Sequence, residues 1–329
     1  MKNISVLDLC PVPEGSTIAD GLKNSIELAR HLDALGYPRV WYAEHHNMTG
    51  IASAATSVVM GQALMATQNI IVGAGGVMLP NHSPLVIAEQ FGTLASLYPN
   101  RVELGVGRAP GTDPMTAHAL RRSLNSDPND FPRDVVELLS YFDDATSDQK
   151  LKAVPGMGTH VPVWILGSSL FGAQLAALLG LPYSFASHFA PGELDRALAV
   201  YRERFTPSET LDKPRAMVAV NVIVADSDEE AQFLFSSQQQ AFVNMRTGNP
   251  GPLPKPVENY LDSLPLQNRL ILDQSLSCSV VGSQQSVIAG LKALKQRTNP
   301  DDLIVTTPVH DTEKRKKSFT FLQEIADQI

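Results

Sequence analysis

The sequence predicts an α/β fold, a (β/α)8 TIM barrel with loop insertions at its C-terminal face. Eight short apolar runs of strand character alternate with segments of helical period, the pattern of a parallel sheet wrapped by helices. Eight strands suit a closed barrel better than an open sheet. A histidine pair follows the second run directly, at the strand end where α/β folds gather their ligand sites.

The strands are expected at Ile4–Leu9, Arg39–Ala43, Ile70–Ala74, Arg101–Val106, Val161–Leu166, Tyr183–Ala186, Met217–Val224 and Leu303–Thr307. Helices are expected at Ile18–Leu35, Ala52–Ala66, Pro84–Leu97, Pro132–Phe142, Leu170–Leu179, Gly192–Arg204, Asp228–Met245, Gln284–Gln296 and Thr312–Ala326. Ile18–Leu35 closes on Gly36 with Pro38 just beyond, a helix stop signal. Pro84, Pro132 and Asp228 stand at helix starts, where a missing N–H is harmless and an acidic residue faces free amides.

At 329 residues, barrels commonly form one unit, so residues 1–329 are read as a single domain with excursions near 111–132 and 247–270. Pro250, Pro252, Pro254, Pro256 and Pro265 make Gly248–Pro265 an extended loop, either an active-site lid or a surface excursion. Gly111–Pro132, with Asp113, Arg121, Arg122, Asp127 and Asp130, is expected to border a substrate entrance. A hydrophobic fraction of 43%, a charged fraction of 18% and a net charge of −8 describe a globular enzyme without the basic footprint of a nucleic-acid partner. Two cysteines, Cys10 and Cys278, are too few for a disulfide framework and point to a cytoplasmic protein with reduced thiols. Leu7-Asp8-Leu9-Cys10 resembles a lipoprotein signal only superficially, because Asp8 breaks the apolar run, and no apolar stretch is long enough for a membrane span.

The chemistry-bearing stretch is Trp41-Tyr42-Ala43-Glu44-His45-His46-Asn47-Met48-Thr49-Gly50. On a strand of period two, Trp41, Ala43 and His45 share one parity and Val40, Tyr42 and Glu44 the other, so His45 and His46 diverge. They are poor joint ligands for one metal, and no metal is expected. Gly105-Val106-Gly107-Arg108-Ala109-Pro110-Gly111 differs from a dinucleotide fingerprint in its third glycine and in Pro110, which interrupts the turn. If Val102, Leu104 and Val106 face the helices, Gly105 and Gly107 face the barrel axis and leave space there. That absence of bulk, repeated at Gly73-Ala74-Gly75-Gly76, suits either a flat ligand or close strand packing.

Glu44-His45-His46, Gly75-Gly76-Val77-Met78-Leu79-Pro80 with Ala88-Glu89-Gln90, Arg101 to Arg108, and Gly167-Ser168-Ser169 together resemble, in order and spacing, the motifs of the bacterial luciferase-like flavin-dependent monooxygenases. The resemblance covers almost the whole chain and is nearest to the single-chain branch that does not emit light. It implies a (β/α)8 barrel that binds reduced FMN, supplied by a separate flavin reductase, and that uses O2 to oxidise a small organic substrate. It further implies a homodimer. By the same resemblance His45 is the catalytic histidine, moving protons near the reactive flavin edge, a role suited to an imidazole that titrates near neutrality. Glu44 orients it or its loop. Gly75-Gly76 matches a cis peptide beneath the flavin ring, and Arg108 with Ser168 and Ser169 matches the phosphate grip. Gly107 replaces the reactive cysteine of the luciferases, so light emission from an aldehyde is not implied. His188, in Ser187-His188-Phe189, is a further candidate at the catalytic face or a structural loop residue. An F420-dependent hydride-transfer enzyme and a non-catalytic flavin-binding subunit are the alternatives on the same barrel.

Overall fold

A computed structural model describes residues 4–109, 111–120, 128–147 and 149–329. The strands are β1 (Ile4–Asp8), β2 (Arg39–Tyr42), β3 (Ile71–Met78), β4 (Val102–Gly107), β5 (Val163–Gly167), β6 (Tyr183–Phe185), β7 (Ala216–Ala225), β8 (Ser279–Ser283) and β9 (Asp302–Thr306). The helices are α1 (Ile18–Ala34), α2 (Thr56–Ala66), α3 (Pro84–Leu97), α4 (Pro114–Leu120), α5 (Phe131–Phe142), α6 (Leu170–Leu179), α7 (Leu194–Arg204), α8 (Asp228–Arg246), α9 (Tyr260–Ser263), α10 (Leu266–Ser275), α11 (Gln284–Thr298) and α12 (Thr312–Ile325).

β1 through β7 pair in sequence order, β7 pairs with β9, and β9 returns to β1, so eight parallel strands close the barrel. Val6 stands opposite Val40, Trp41 opposite Gly73, and Tyr183 opposite Ala216. The ninth strand corrects the sequence expectation. β7 is ten residues long, and its second half, Asn221–Ala225, overshoots the barrel and pairs there with β8. Ser279–Ser283 is short and flanked by serine, with no alternation to mark it as a strand. Parts of both expected excursions also take regular form: α4 lies in the first, and α9 and the start of α10 in the second. Arg121, Arg122 and Asp127 of the first excursion, and Pro110 before it, lie outside the described residues.

The local signals are used as chemistry requires. Thr17 caps α1 through its hydroxyl and Asp20 returns the bond, while Gly36 takes the left-handed conformation just past the helix end, at φ 79°. Parity holds through the barrel wall. Val40, Tyr42, Val102, Leu104 and Val106 pack outward into the helix layer, whereas Leu7, Trp41, Ala43, Trp164, Met217, Ala219 and Ile304 form a separate apolar cluster on the axis. Trp41 and Trp164 meet edge to face at 5.5 Å.

Beneath this cluster the N-terminal end is closed by charge. Arg39 donates to Asp302 at 3.1 Å and to Ser5 at 3.1 Å, Arg215 donates to both oxygens of Asp302 at 2.8 and 3.2 Å, and the Trp41 indole donates to Glu103 at 3.0 Å. Such a paired plug avoids the large penalty of isolated buried charge. With the bottom plugged and the middle packed, the C-terminal end is where a ligand can enter. No helix among the described residues is long and apolar enough to cross a membrane.

Candidate active site

Each motif arrives at this end because it directly follows a barrel strand. β2 ends at Tyr42, and Ala43 to His46 continue as loop. Glu44 is 2% exposed. One of its oxygens accepts from His46 Nε2 at 2.8 Å and from His82 Nε2 at 2.9 Å, and the other accepts from the Met78 amide at 3.1 Å. Burial alone would raise the pKa of this carboxyl, but the His82 and His46 bonds and the Met78 amide prevail and hold it below the usual range. Of the two roles expected of it, the geometry matches the second: Glu44 braces its loop against the end of β3, and its carboxylate does not bond the His45 ring. His45 and His46 do diverge. Glu44, His46 and His82 bring ligand atoms within 4.8 Å of one another and have the residue types of a metal site, although three N–H donors already satisfy the carboxylate.

His45 turns the other way. Its Nδ1 is enclosed without a hydrogen-bond partner, and burial pushes its pKa down to about 4 against a small opposing pull from Glu44. An imidazole titrating near neutrality was expected here. The enclosing loop removes the water that would stabilise the imidazolium, so His45 is neutral at physiological pH.

The Gly75-Gly76 peptide is cis. A side chain on Gly75 would meet Trp41 and Leu7, and one on Gly76 would meet Leu166 and the Gly105 carbonyl. Likewise Gly105 is backed by Leu166 and the Ala74 carbonyl, and Gly107 by Met78. The space expected beside Gly105 and Gly107 is therefore taken by protein. These glycines let the axial side chains and the neighbouring strand approach closely.

Arg108 follows β4 and lays its guanidinium on the Phe171 ring, 4.1 Å from the centroid. Phe171 lies in the first turn of α6, so this contact places the charge at that helix start. Ser168 and Ser169 precede α6. Ser169 is its N-cap residue but makes no side-chain cap bond, and its carbonyl accepts from the Tyr183 hydroxyl at 3.3 Å. Among the described residues Arg108 has no carboxylate partner. An unpaired guanidinium beside uncapped helix amides is suited to an anionic group.

β6 delivers Ser187, His188 and Phe189. The Ser187 hydroxyl bonds the Ala219 carbonyl, and Asn221 Nδ2 donates to the His188 carbonyl at 2.6 Å. His188 Nδ1 is enclosed and unpartnered, and burial pushes its pKa down to about 3, with the nearby His45 lowering it further. The first excursion closes over the His46 loop: Thr112 donates to the His46 carbonyl at 2.9 Å, and Asn47 donates to Asp113 at 3.1 Å. Asp130, expected at that entrance, pairs with Arg133 at 3.0 Å. The proline-rich segment reaches the β1 end, where Leu253 N donates to the Val12 carbonyl at 2.8 Å and Glu14 N to that of Leu253 at 2.8 Å.

Sequence reasoning missed His82, Phe171 and Asn221. His82 lies in the short link between two motifs, Asn81-His82-Ser83, and a polar residue there before Pro84 was its available signal. Asn221 had a clearer one, as a polar residue inside the apolar run Met217–Val224. Phe171 sits in ordinary helical pattern and had none.

A family model described as luciferase-like monooxygenase matches residues 3–299. A luciferase-like monooxygenase of Escherichia coli (strain K12) is 50% identical over 325 residues, covering 99% of this chain and 97% of that protein. The solved apo structure of MsnO8 superposes with a TM-score of 0.88 at 34% identity, covering 99% of both chains. The FMN complex of the oxygenating constituent of 3,6-diketocamphane monooxygenase, from the CAM plasmid of Pseudomonas putida, shares the fold alone, with a TM-score of 0.72 at 18% identity and coverage of 98% and 97%. With the family model spanning most of its residues and a relative this similar over nearly its whole length, the chain belongs to the luciferase-like monooxygenase family.

Proposed function

We propose that the protein is a two-component monooxygenase that takes reduced FMN from a separate flavin reductase and uses O2 to oxidise a small organic substrate. The observation that carries this reading is the Arg108 guanidinium, without a carboxylate partner among the described residues, at the start of α6, whose N-cap Ser169 makes no side-chain cap bond, at the same barrel end as two imidazoles whose Nδ1 atoms are enclosed and lack a partner among the described residues. These residues fit a group with one anionic end and a polar ring.

In this reading Arg108 and the first amides of α6 hold the FMN phosphate, with the Ser168 and Ser169 hydroxyls completing the anion site. Backbone at Gly75 and Gly76 supports the ring. When bound, reduced FMN supplies the electrons that activate O2 for transfer to the substrate. His45 offers a neutral imidazole, a hydrogen-bonding group at the reacting atoms, and takes up a proton only transiently. Glu44 keeps the His46 loop fastened to Met78 and His82, which holds His45 in place. The Thr112 and Asn47 contacts seal that loop and limit access of water.

Anaerobic titration with reduced FMN, followed by O2 and spectral monitoring, tests the proposal. Saturable binding of reduced FMN, tighter than that of riboflavin, and a changed course of flavin reoxidation are expected. Turnover with F420 in the absence of O2 would instead identify a hydride-transfer enzyme. Binding of FMN with no effect on the fate of O2 would identify a non-catalytic subunit.

The proposal includes a cytoplasmic homodimer. Both cysteines are free and buried, in keeping with a reducing compartment. α2 carries no charged residue and exposes Val58 and Met65, while neighbouring α3 exposes Val86 and Leu97, apolar surface that a second copy would cover.

A further inference from the structure

Glu44 and His46 stand two residues apart on the loop after β2, and Glu44 Oε1 meets His46 Nε2 at 2.8 Å. A third side chain reaches the same oxygen from another segment. His82 closes the short 3-10 turn Leu79–Asn81 after β3, its amide bonded to the Leu79 carbonyl at 3.0 Å, and its Nε2 lies 2.9 Å from Glu44 Oε1. Among the described residues this is the one group of three His, Cys, Asp or Glu side chains whose ligand atoms lie within 4.8 Å of one another.

Two imidazoles converging on one carboxylate oxygen have the donor set of a metal centre with an open position, two nitrogens and one oxygen. In a tetrahedral site with bonds of about 2.0–2.1 Å, neighbouring ligand atoms stand about 3.3 Å apart. The two edges at Glu44 Oε1 therefore open by about 0.5 Å and the third closes, a change within reach of side-chain rotation because the His46 and His82 side chains are 15% and 29% exposed. Glu44 need not move. Its other oxygen stays on the Met78 amide at 3.1 Å, so the carboxylate ligates through Oε1 alone with its orientation fixed by an outer bond. We propose that Glu44, His46 and His82 bind a divalent transition-metal ion of the zinc class through Oε1 and the two Nε2 atoms, with the fourth position left to water. On binding, each neutral ring moves its proton from Nε2 to Nδ1, which frees both Nε2 lone pairs, and the ion replaces the two imidazole donors at Oε1 so that the carboxylate stays satisfied. One carboxylate charge and two neutral rings suit a dication. The ion ties the loop that carries His45 to the link before α3, where the hydrogen bonds of Glu44 already hold it. The inference stands on this geometry and does not rest on the reading of the barrel end as an FMN site.

The test titrates zinc, and separately cobalt(II), into the full-length protein freed of metal by a chelator. His46→Gln and His82→Gln keep an N–H for Glu44 Oε1, so the fold survives while an imidazole ligand is lost; His160→Gln, at an exposed histidine paired with Asp144, is the control for surface histidines. Wild type and His160→Gln should bind one equivalent of zinc, and each of the other two variants should bind it about a hundredfold more weakly, as loss of a ligand requires. Excess zinc should raise the Tm of wild type and His160→Gln only. Bound cobalt should show the intense visible absorption of a four- or five-coordinate ion, and X-ray absorption of the zinc form should show two imidazoles. The inference is overturned by absence of saturable binding to wild type, by equal affinity in wild type and the His46 and His82 variants, which would make the ion adventitious, or by a cobalt spectrum of the weak octahedral kind. Should a variant fail to fold, the cobalt spectrum and the imidazole count of the wild-type protein decide the matter by themselves.

Discussion

Acid should destabilise this protein through two particular histidines, well before its carboxylates respond. His45 and His188 fall from 6.5 to about 4 and about 3 in the folded chain, mainly by burial. Above the unfolded value of 6.5 both states are neutral and stability is insensitive to these groups. As pH falls below it, the unfolded chain binds two protons that the folded chain refuses, so stability drops at about 1.4 kcal/mol per pH unit for each ring. Between 6.5 and about pH 5 the loss is about 2 kcal/mol per histidine, or about 4 kcal/mol for the pair. For 329 residues the unfolding entropy is about 0.7 kcal/mol per degree, which converts that loss to about 6 °C in Tm. Carboxylates held low by hydrogen bonds, such as Glu44, Asp33 and Asp228, lose their contribution only below this window. The assay is thermal unfolding of cofactor-free protein at about pH 7 and about pH 5, for wild type and for a variant carrying both His45→Gln and His188→Gln. The wild-type drop should exceed that of the variant by about 6 °C. Equal drops would refute the claim that these rings are kept neutral by burial.

The same geometry leads to three further expectations. Arg108→Ala should weaken FMN binding about ten- to hundredfold, the worth of about 1.5–3 kcal/mol for a charge-assisted bond, and leave riboflavin unchanged; equal losses for the two ligands would move the phosphate elsewhere. His45→Ala should retain FMN affinity while turnover falls about 10²–10⁴-fold and hydrogen peroxide replaces product; a folded variant with full product yield would end the catalytic reading. Glu44→Gln puts an amide donor where three N–H groups already point, so it should cost about 2–4 kcal/mol and lower Tm by about 3–6 °C, measured by calorimetry. An unaltered Tm would show that the brace does not stabilise the loop.

Much of the barrel was legible because strand and helix periods are local. α3 and α6 begin and end at the expected residues, and parity separated Trp41 from Val40, which the barrel then places on the axis and among the helices. β8 was not legible, since its reason for being a strand is the free edge left by the overlong β7 and not a pattern of its own. The glycines at Gly75, Gly76 and Gly105 were legible as places without bulk, but what fills that absence, Trp41 and Leu166, is a matter of packing across strands.

By itself, then, the sequence determined the layout: which residues of a strand share a face, and that Glu44, His45, Arg108, Ser168 and His188 all follow strand ends and so share one face of the barrel. Tertiary structure alone decided their partners and their protonation. Glu44 turns to His46 and His82 instead of His45, Arg108 finds Phe171, and the His188 carbonyl takes its bond from Asn221. The reason is that hydrogen bonds and desolvation depend on atoms brought together by closure of the whole barrel, from segments far apart in sequence, whereas periodicity reports only which side of one segment is buried.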